Sequence, residues 1–151
     1  MPIASDITTN SLTPRYSNEA SERMYVQWDA ALSSNDPEAL LACYAPDAVL
    51  ESPLVPHLMG GTDGACRGHE QLRPFFRILA QRKPPLRQYF RTGFFTDGKQ
   101  LIWEYPREAP EGEQMDFVES ITLNNKGLIQ RHCVYWGWRG VSVIENDEYH
   151  H

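Results

Sequence analysis

The sequence predicts an α+β fold: three helices interrupted by one strand, then four antiparallel strands bent strongly around those helices. Three observations carry this expectation. Apolar residues recur every three or four positions through the first half of the chain. From Leu86 onward they alternate, and aromatic and β-branched residues crowd the alternating runs. The breaks between those runs are clusters of Gly, Asn and Asp. Helices followed by antiparallel strands give a layered α+β arrangement. A bent sheet wrapped around helices leaves a conical internal cavity, the kind of space that takes a small molecule. At 151 residues the chain is long enough for one domain with its own core. That domain is expected over 17–144, between a Ser/Thr/Asn/Pro-rich tail at 1–16 and a short tail at 145–151.

The first helix is expected over Asn18–Ser33, where Met24, Tyr25, Trp28, Ala31 and Leu32 make the apolar face. Ser17 is placed to cap it, and Glu19 and Glu22 lie at the positive end of its dipole. A short second helix opens at Asp36-Pro37-Glu38. Asp is a good N-cap, and Pro is tolerated at the first helical position, where its missing N–H has no partner anyway. Its stripe is Ala39, Leu40, Cys43 and Tyr44, and Pro46 ends it. Ala48–Ser52 is the interrupting strand, closed by Pro53. Leu54–Gly68 carries Gly60, Gly61, Gly64 and Gly68 and reads as a loop rimming the cavity. The third helix runs from Glu70 to Gln81 with Leu72, Phe75, Phe76 and Leu79 apolar. Pro74 implies either a start near Arg73 or a kinked first turn. Four strands follow: Leu86–Phe95, Gln100–Arg107, Gln114–Leu123 and Leu128–Arg139.

Composition narrows the function. Lys and Arg number 14 against 20 Asp and Glu, for a formal net charge of −6. With no basic run of five or more, nucleic acid and anionic membrane surfaces are poor partners. The aromatic fraction of 11% adds no nucleic-acid signal, because basic residues do not interleave with it. Mean hydropathy is −0.51, and no stretch nears the roughly 20 apolar residues of a membrane helix. Met1–Asn10 has neither the positive start nor the apolar core of a secretory signal. Cys43, Cys66 and Cys133 are odd in number and form no CxxC, so reduced thiols in a cytoplasmic protein are expected. There is no HExxH, EF-hand or phosphate-binding glycine pattern, and neither a metal nor a cofactor is expected.

Four short words stand in order: Ala30-Ala31-Leu32-Ser33-Ser34-Asn35-Asp36, Cys43-Tyr44-Ala45-Pro46-Asp47-Ala48-Val49, Arg67-Gly68-His69-Glu70-Gln71-Leu72-Arg73 and Lys126-Gly127-Leu128-Ile129. Together, over about residues 20–140, the chain resembles the nuclear-transport-factor-2-like superfamily, specifically its SnoaL-like and ketosteroid-isomerase-like members. The resemblance implies a cystatin-like, cone-shaped α+β barrel. It implies less about activity, because this fold hosts isomerases, dehydratases, cyclases, epoxide hydrolases and non-enzymatic binding domains. Superfamily members often dimerise through the outer sheet face.

The last hairpin locates the candidate chemistry. A two-residue Asn125-Lys126 loop sets Leu123 opposite Leu128, Ile121 opposite Gln130 and Glu119 opposite His132. Phe117 then faces Val134 and Met115 faces Trp136, whereas a loop longer by one residue slips this register. Met115, Phe117, Glu119, Ile121 and Leu123 are the apolar, inward set, and Glu119 is its one charge. A carboxylate beside an imidazole in a semi-apolar cavity forms an acid–base dyad in which the carboxylate fixes the imidazole tautomer. The other reading is a cross-strand pair that satisfies two polar groups and does no chemistry. Trp103, Tyr105 and Arg107 share inward parity, and Arg107 either holds an anionic substrate, pairs with a carboxylate or reaches solvent from the strand end. Glu51 and Glu104 face away from the cavity, His57 lies in the loop at its mouth, and His69 is structural. Trp136 points inward, and Tyr135 and Trp138 point outward. A second copy, in a homodimer, is expected to cover that outward aromatic pair.

The resemblance adds residue roles. Glu119 falls where ketosteroid isomerases keep a protonated acid that donates to the developing oxyanion. Their partner tyrosine is replaced by Trp28 and their catalytic aspartate by Ser52, which argues against the same steroid chemistry. The Asp–Arg–Asp pattern of limonene epoxide hydrolases would fall on Tyr105, Arg107 and Val134, only one of which is charged. SnoaL-like cyclases use a carboxylate or histidine as general base, and Glu119 and His132 are the candidates here. The resulting expectation is a small cofactor-independent enzyme acting on an apolar or aromatic carbonyl compound by isomerisation, aldol-type cyclisation or dehydration. His132 is the expected base, oriented by Glu119, in a pocket lined by Trp28, Ser52, Trp103, Tyr105, Phe117, Val134 and Trp136. The alternative is a non-catalytic domain of the same fold that binds a small molecule or a second copy.

Overall fold

The computed structural model describes residues 18–82, 93–108 and 114–146. The tail at 1–16, the proposed cap Ser17 and residues 86–92 of the strand expected over Leu86–Phe95 lie outside the described residues. In chain order the elements are α1 (Glu19–Ser33), α2 (Pro37–Leu41), β1 (Tyr44–Glu51), α3 (Leu54–Met59), β2 (Ala65–Arg67) and α4 (Gly68–Arg82). Then come β3 (Phe95–Thr96), β4 (Gln100–Glu108), β5 (Gln114–Leu123), β6 (Ile129–Trp136) and α5 (Arg139–Glu145). The strands form one curved, open sheet in the order β2-β1-β6-β5-β4-β3. Every neighbouring pair is antiparallel except β1 and β6, which run parallel. The α+β class expected from the sequence is the one observed.

Helix α1 buries Met24, Trp28, Ala31 and Leu32 of the expected stripe and adds Ser21, while Tyr25 is half-buried. Trp28 meets Trp103 of β4 edge-on, with ring centroids 5.3 Å apart, which seats the helix on the sheet. The side chain of Asp36 accepts from Ala39 N at 3.0 Å and caps α2 as expected. Helix α2 ends earlier than expected, at Leu41, and Pro46 does not terminate it. The Cys43 carbonyl accepts from Ile129 N (2.9 Å), so the chain has joined the sheet by that point and Tyr44 belongs to β1. Pro46 then sits in a bulge. Pairing jumps from Tyr44↔Ile129 to Val49↔Arg131, and a missing N–H falls where no ladder bond is due.

The segment Leu54–Gly68 is not one loop. It holds α3, which buries Leu54, Val55 and Leu58, and β2, which pairs with Val49–Glu51 of β1. Ser52 starts this helix: its Oγ accepts from Leu54 N (3.2 Å) and its carbonyl from Val55 N (3.0 Å). Helix α4 begins at Gly68, two residues ahead of the expected Glu70 and well ahead of the alternative start near Arg73. Gly68 has φ +72, and a Cβ there would lie 3.2 Å from the Pro46 carbonyl oxygen, so this junction requires glycine. Pro74 is accommodated without ending the helix because it lies on the exposed face, where the Glu70 carbonyl that loses its partner meets solvent.

The last strand stops at Trp136, not Arg139, and the chain turns into α5. Gly140 permits this: a Cβ there would fall 2.4 Å from Trp136 Cε3. Trp138, 88% exposed, therefore stands at the cap of α5 rather than on the sheet face, while Tyr135 is exposed from β6 as expected. No helix among the described residues is long and apolar enough to cross a membrane.

All three cysteines are free and buried. Burial pushes the Cys43 and Cys66 thiols up to about 11 from 9.0 and raises Cys133 as well, which makes them poor nucleophiles at neutral pH. This links stability to pH with a definite sign. An unfolded thiol ionises near 9.0 while the folded one keeps its proton to about 11, so stability is fully present below the first value and falls between the two. Urea midpoints should be level from about pH 7 to 9 and decline by about pH 10.5; a level midpoint across the whole range would refute this.

Candidate functional site

The β5–β6 turn is one residue longer than the sequence suggested. Asn124 N donates to the Leu128 carbonyl (2.8 Å), which leaves Asn125, Lys126 and Gly127 as a three-residue loop. Asn124 Oδ1 accepts from Lys126 N and Leu128 N, and Gly127 takes the left-handed φ of +76 that such loops need. A second extra residue, Gln130, bulges between the pairs Leu123↔Ile129 and Thr122↔Arg131. Either insertion alone would turn the strand over, and the two together restore its parity. The expected pairings are thus displaced by two residues. Glu119 faces Val134, His132 faces Ile121 and Phe117 faces Trp136. Gln130 turns away and donates to Asp47 (3.0 Å), while His132, Val134 and Trp136 keep the inward parity.

Glu119 and His132 meet all the same, across the diagonal of the β5–β6 pair. His132 Nε2 lies 2.5 Å from Glu119 Oε2, and the two residues are 2% and 3% exposed. Tyr105 Oη donates to Glu119 Oε1 (2.7 Å). On the other side of the ring, Tyr44 Oη lies 2.8 Å from His132 Nδ1, and Trp28 Nε1 donates to Tyr44 Oη (3.1 Å). The donor inventory orients this network. An ionised Glu119 only accepts, so Nε2 carries the hydrogen, Nδ1 presents its lone pair and the Tyr44 hydroxyl donates to it. An imidazolium would aim a second donor at Tyr44 Oη, already used by Trp28, and would leave the Tyr44 hydrogen without an acceptor among the described residues. Burial pushes the Tyr44 hydroxyl well above its ordinary range, with the Trp28 N–H opposing that shift.

The network forms one wall of an interior cavity of about 50 Å³. Of the residues expected to line it, Trp28, Ser52, Tyr105, Phe117, Val134 and Trp136 do so, together with Glu119 and His132. Trp103 does not. It is 1% exposed and packs behind Trp28, because α1 crosses the sheet directly over it. Tyr44 lines the cavity and escapes the sequence pattern, which puts it on a helix. Its inward position is set by pairing with Ile129 on the far side of the Pro46 bulge, which alternation along β1 does not carry. Phe75, Phe76 and Leu79 of α4 close the opposite wall. His69 Nε2 lies 2.8 Å from the Tyr44 carbonyl oxygen and ties α4 to β1, a structural role as expected. His57 lies on α3, half-buried, and Glu51 and Glu104 are exposed. The Arg107 side chain lies outside the described residues.

Both nitrogens of His132, the expected base, already have partners: Glu119 Oε2 at Nε2 and Tyr44 Oη at Nδ1. A space of about 50 Å³ holds a few waters or a compact polar molecule. It falls short of the roughly 150 Å³ in which benzene binds, so a ring enters only as the walls move. Ser52 and Val134 also line an open groove of about 450 Å³ beyond the end of β1, and so stand between the interior and solvent. Among the described residues no group of three or more His, Cys, Asp or Glu is placed to hold a metal ion.

No curated protein matches the sequence. Several solved structures share the fold. A SnoaL-like protein of unknown function from Burkholderia thailandensis superposes with a TM-score of 0.66 at 16% identity, covering 80% of this chain and 98% of that one. A steroid delta-isomerase from Pseudomonas aeruginosa gives 0.65 at 14% identity, with 90% and 93% covered. SalBIII, an epoxide hydrolase/cyclase-like enzyme of pyran ring formation in the polyether salinomycin, gives 0.60 at 18%, with 78% and 91% covered. At such identities the likeness is one of fold. The SnoaL-like domain family matches residues 25–132, from α1 through His132 itself, and the chain belongs to that family.

Proposed function

We infer that this protein is a cofactor-independent acid–base enzyme that moves a proton on a small, largely apolar carbonyl compound. One observation carries the reading: the Glu119–His132 pair is buried at the wall of an otherwise mostly apolar cavity. A buried imidazole with a carboxylate on one nitrogen has a fixed tautomer, and the cation formed when it takes a proton lies beside a negative charge. The rest of the lining gives an enolate little water to react with. Isomerisation, aldol-type cyclisation and dehydration all begin with this proton transfer. The fold is also found in a steroid delta-isomerase and in the epoxide hydrolase/cyclase-like enzyme SalBIII.

The test works before the natural substrate is identified. A panel running from pentane-2,4-dione through cyclic enones to aryl ketones is incubated with protein in D2O, and loss of the α-proton signal is followed by NMR. At least one class should exchange faster with wild type than with buffer. Glu119→Gln and His132→Gln should each slow that exchange roughly 10²–10⁴-fold. Binding shifts in the protein spectrum with no exchange anywhere in the panel would overturn the enzymatic reading in favour of a ligand-binding domain.

A further inference from the structure

Resting on that acid–base reading, we propose that Tyr44 is the catalytic hydroxyl of this site, the group through which protons reach and leave His132. Access decides its role. His132 Nε2 is held by Glu119 Oε2 at 2.5 Å and Nδ1 by Tyr44 Oη at 2.8 Å, on a ring that is 2% exposed. Each ring nitrogen has a single hydrogen or lone pair, and both are spent. A substrate proton cannot arrive at Nδ1 unless Tyr44 is displaced. Tyr44 Oη differs: it accepts from Trp28 Nε1, donates to Nδ1 and retains one lone pair, on a side chain that lines the cavity.

The fold holds that hydroxyl in place from several sides. The Tyr44 carbonyl is tied to His69 of α4, and the preceding Cys43 carbonyl to Ile129 N at the start of β6. The ring packs 5.1 Å from Phe76 and lies within 25° of parallel to the His132 imidazole. This is a great deal of positioning for a phenol with no chemistry to perform.

The step balances. The substrate C–H bond breaks and its proton forms a new O–H bond at Tyr44. The original Tyr44 O–H bond breaks and its proton forms an N–H bond at His132 Nδ1. The electron pair of the C–H bond stays on the substrate as an enolate, and the positive charge appears on His132 beside the Glu119 carboxylate. Return of a proton from Tyr44 to another carbon, with Nδ1 reprotonating the phenol, completes an isomerisation. Tyr44 is neutral before and after each transfer. That suits its burial, which disfavours a standing phenolate but not a hydroxyl that gives one proton as it takes another.

The experiment compares α-proton exchange by wild type and Tyr44→Phe, with the fold of each checked by its amide NMR spectrum. Tyr44→Phe removes one oxygen and keeps the ring, and exchange should fall roughly 10²–10⁴-fold, about as far as in His132→Gln. Exchange equal to or faster than wild type would overturn the proposal, because it would mean that Nδ1, once uncovered, takes the proton directly. Absence of exchange in wild type as well would instead overturn the acid–base reading on which the proposal stands. A second variant separates chemistry from packing. Replacing Tyr44 with 3,5-difluorotyrosine keeps the hydroxyl and makes it more acidic, so the alkaline limb of the exchange rate should move to lower pH. An unmoved limb would assign Tyr44 a structural role only.

Discussion

Glu119→Leu is expected to lower the unfolding free energy by about 2–6 kcal/mol at pH 7, the range for leaving two buried donors without an acceptor. The leucine fills most of the volume, so lost packing is a small part of that figure. What it leaves behind are two donors, Tyr105 O–H and His132 Nε2–H, which end at 2.7 and 2.5 Å on the wild-type carboxylate. Each buried donor without an acceptor costs about 1–3 kcal/mol. Glu119→Gln behaves differently. Its amide oxygen can still accept from Tyr105 and its NH2 can donate to Nε2, which forces the imidazole hydrogen onto Nδ1. The fold is then largely retained, at a cost of about 1 kcal/mol, while Nδ1–H points at Tyr44 Oη and no longer receives its proton. Urea melts measure the first effect, and the 15N shifts of His132 report the tautomer in the second. A Glu119→Leu protein within about 1 kcal/mol of wild type would show that the network does not satisfy these donors.

How much of this is legible in the sequence depends on whether the deciding signal is local. The α1 stripe and the Asp36 cap are set by neighbours within a turn or two, and both stand where the sequence puts them. Helix α3 is hidden by Pro53 and Pro56 and the glycines after it, yet prolines are admissible in a first turn and Leu54, Val55 and Leu58 have a core to bury into. Strand β2 is three residues long, and only its pairing with β1 makes it a strand. Tyr44 reads as helical because Cys43-Tyr44 continues the apolar spacing of α2; the hydrogen bond that pulls the chain into the sheet comes from Ile129, far along the sequence. The Glu119–His132 contact is foreseeable even from a register that is wrong by two. A longer turn and the Gln130 bulge are each invisible to simple alternation, and their effects on parity cancel. Which face a residue occupies is thus more robust than which residue it opposes. The network beyond the pair joins α1, β1, β4, β5 and β6, and no local pattern encodes it.

Phe76→Ala tests the opposite wall. Phe76 is 2% exposed, lies 5.1 Å from Tyr44 and 5.7 Å from Phe75 by ring centroids, and lines the cavity. Its truncation should cost about 3–5 kcal/mol. The upper part of that range applies where the new space cannot collapse, and here it merges with an existing cavity of about 50 Å³ whose far wall is the sheet. The enlarged space should admit a small ring that wild type excludes. Benzene at about 100 times its Kd should therefore restore about 2.7 kcal/mol to the variant and nothing to wild type, read as a rise in Tm. A loss below about 1.5 kcal/mol, with no response to benzene, would mean that α4 settles inward and that the cavity is not held open by the fold. The expected result has a consequence for chemistry. Phe76 is the ring against which Tyr44 rests, so the variant that gains a ligand should also loosen the hydroxyl over His132 and exchange α-protons more slowly than wild type. Room for substrate and aim of the proton-bearing group are set by the same side chain, so one cannot be widened here without disturbing the other.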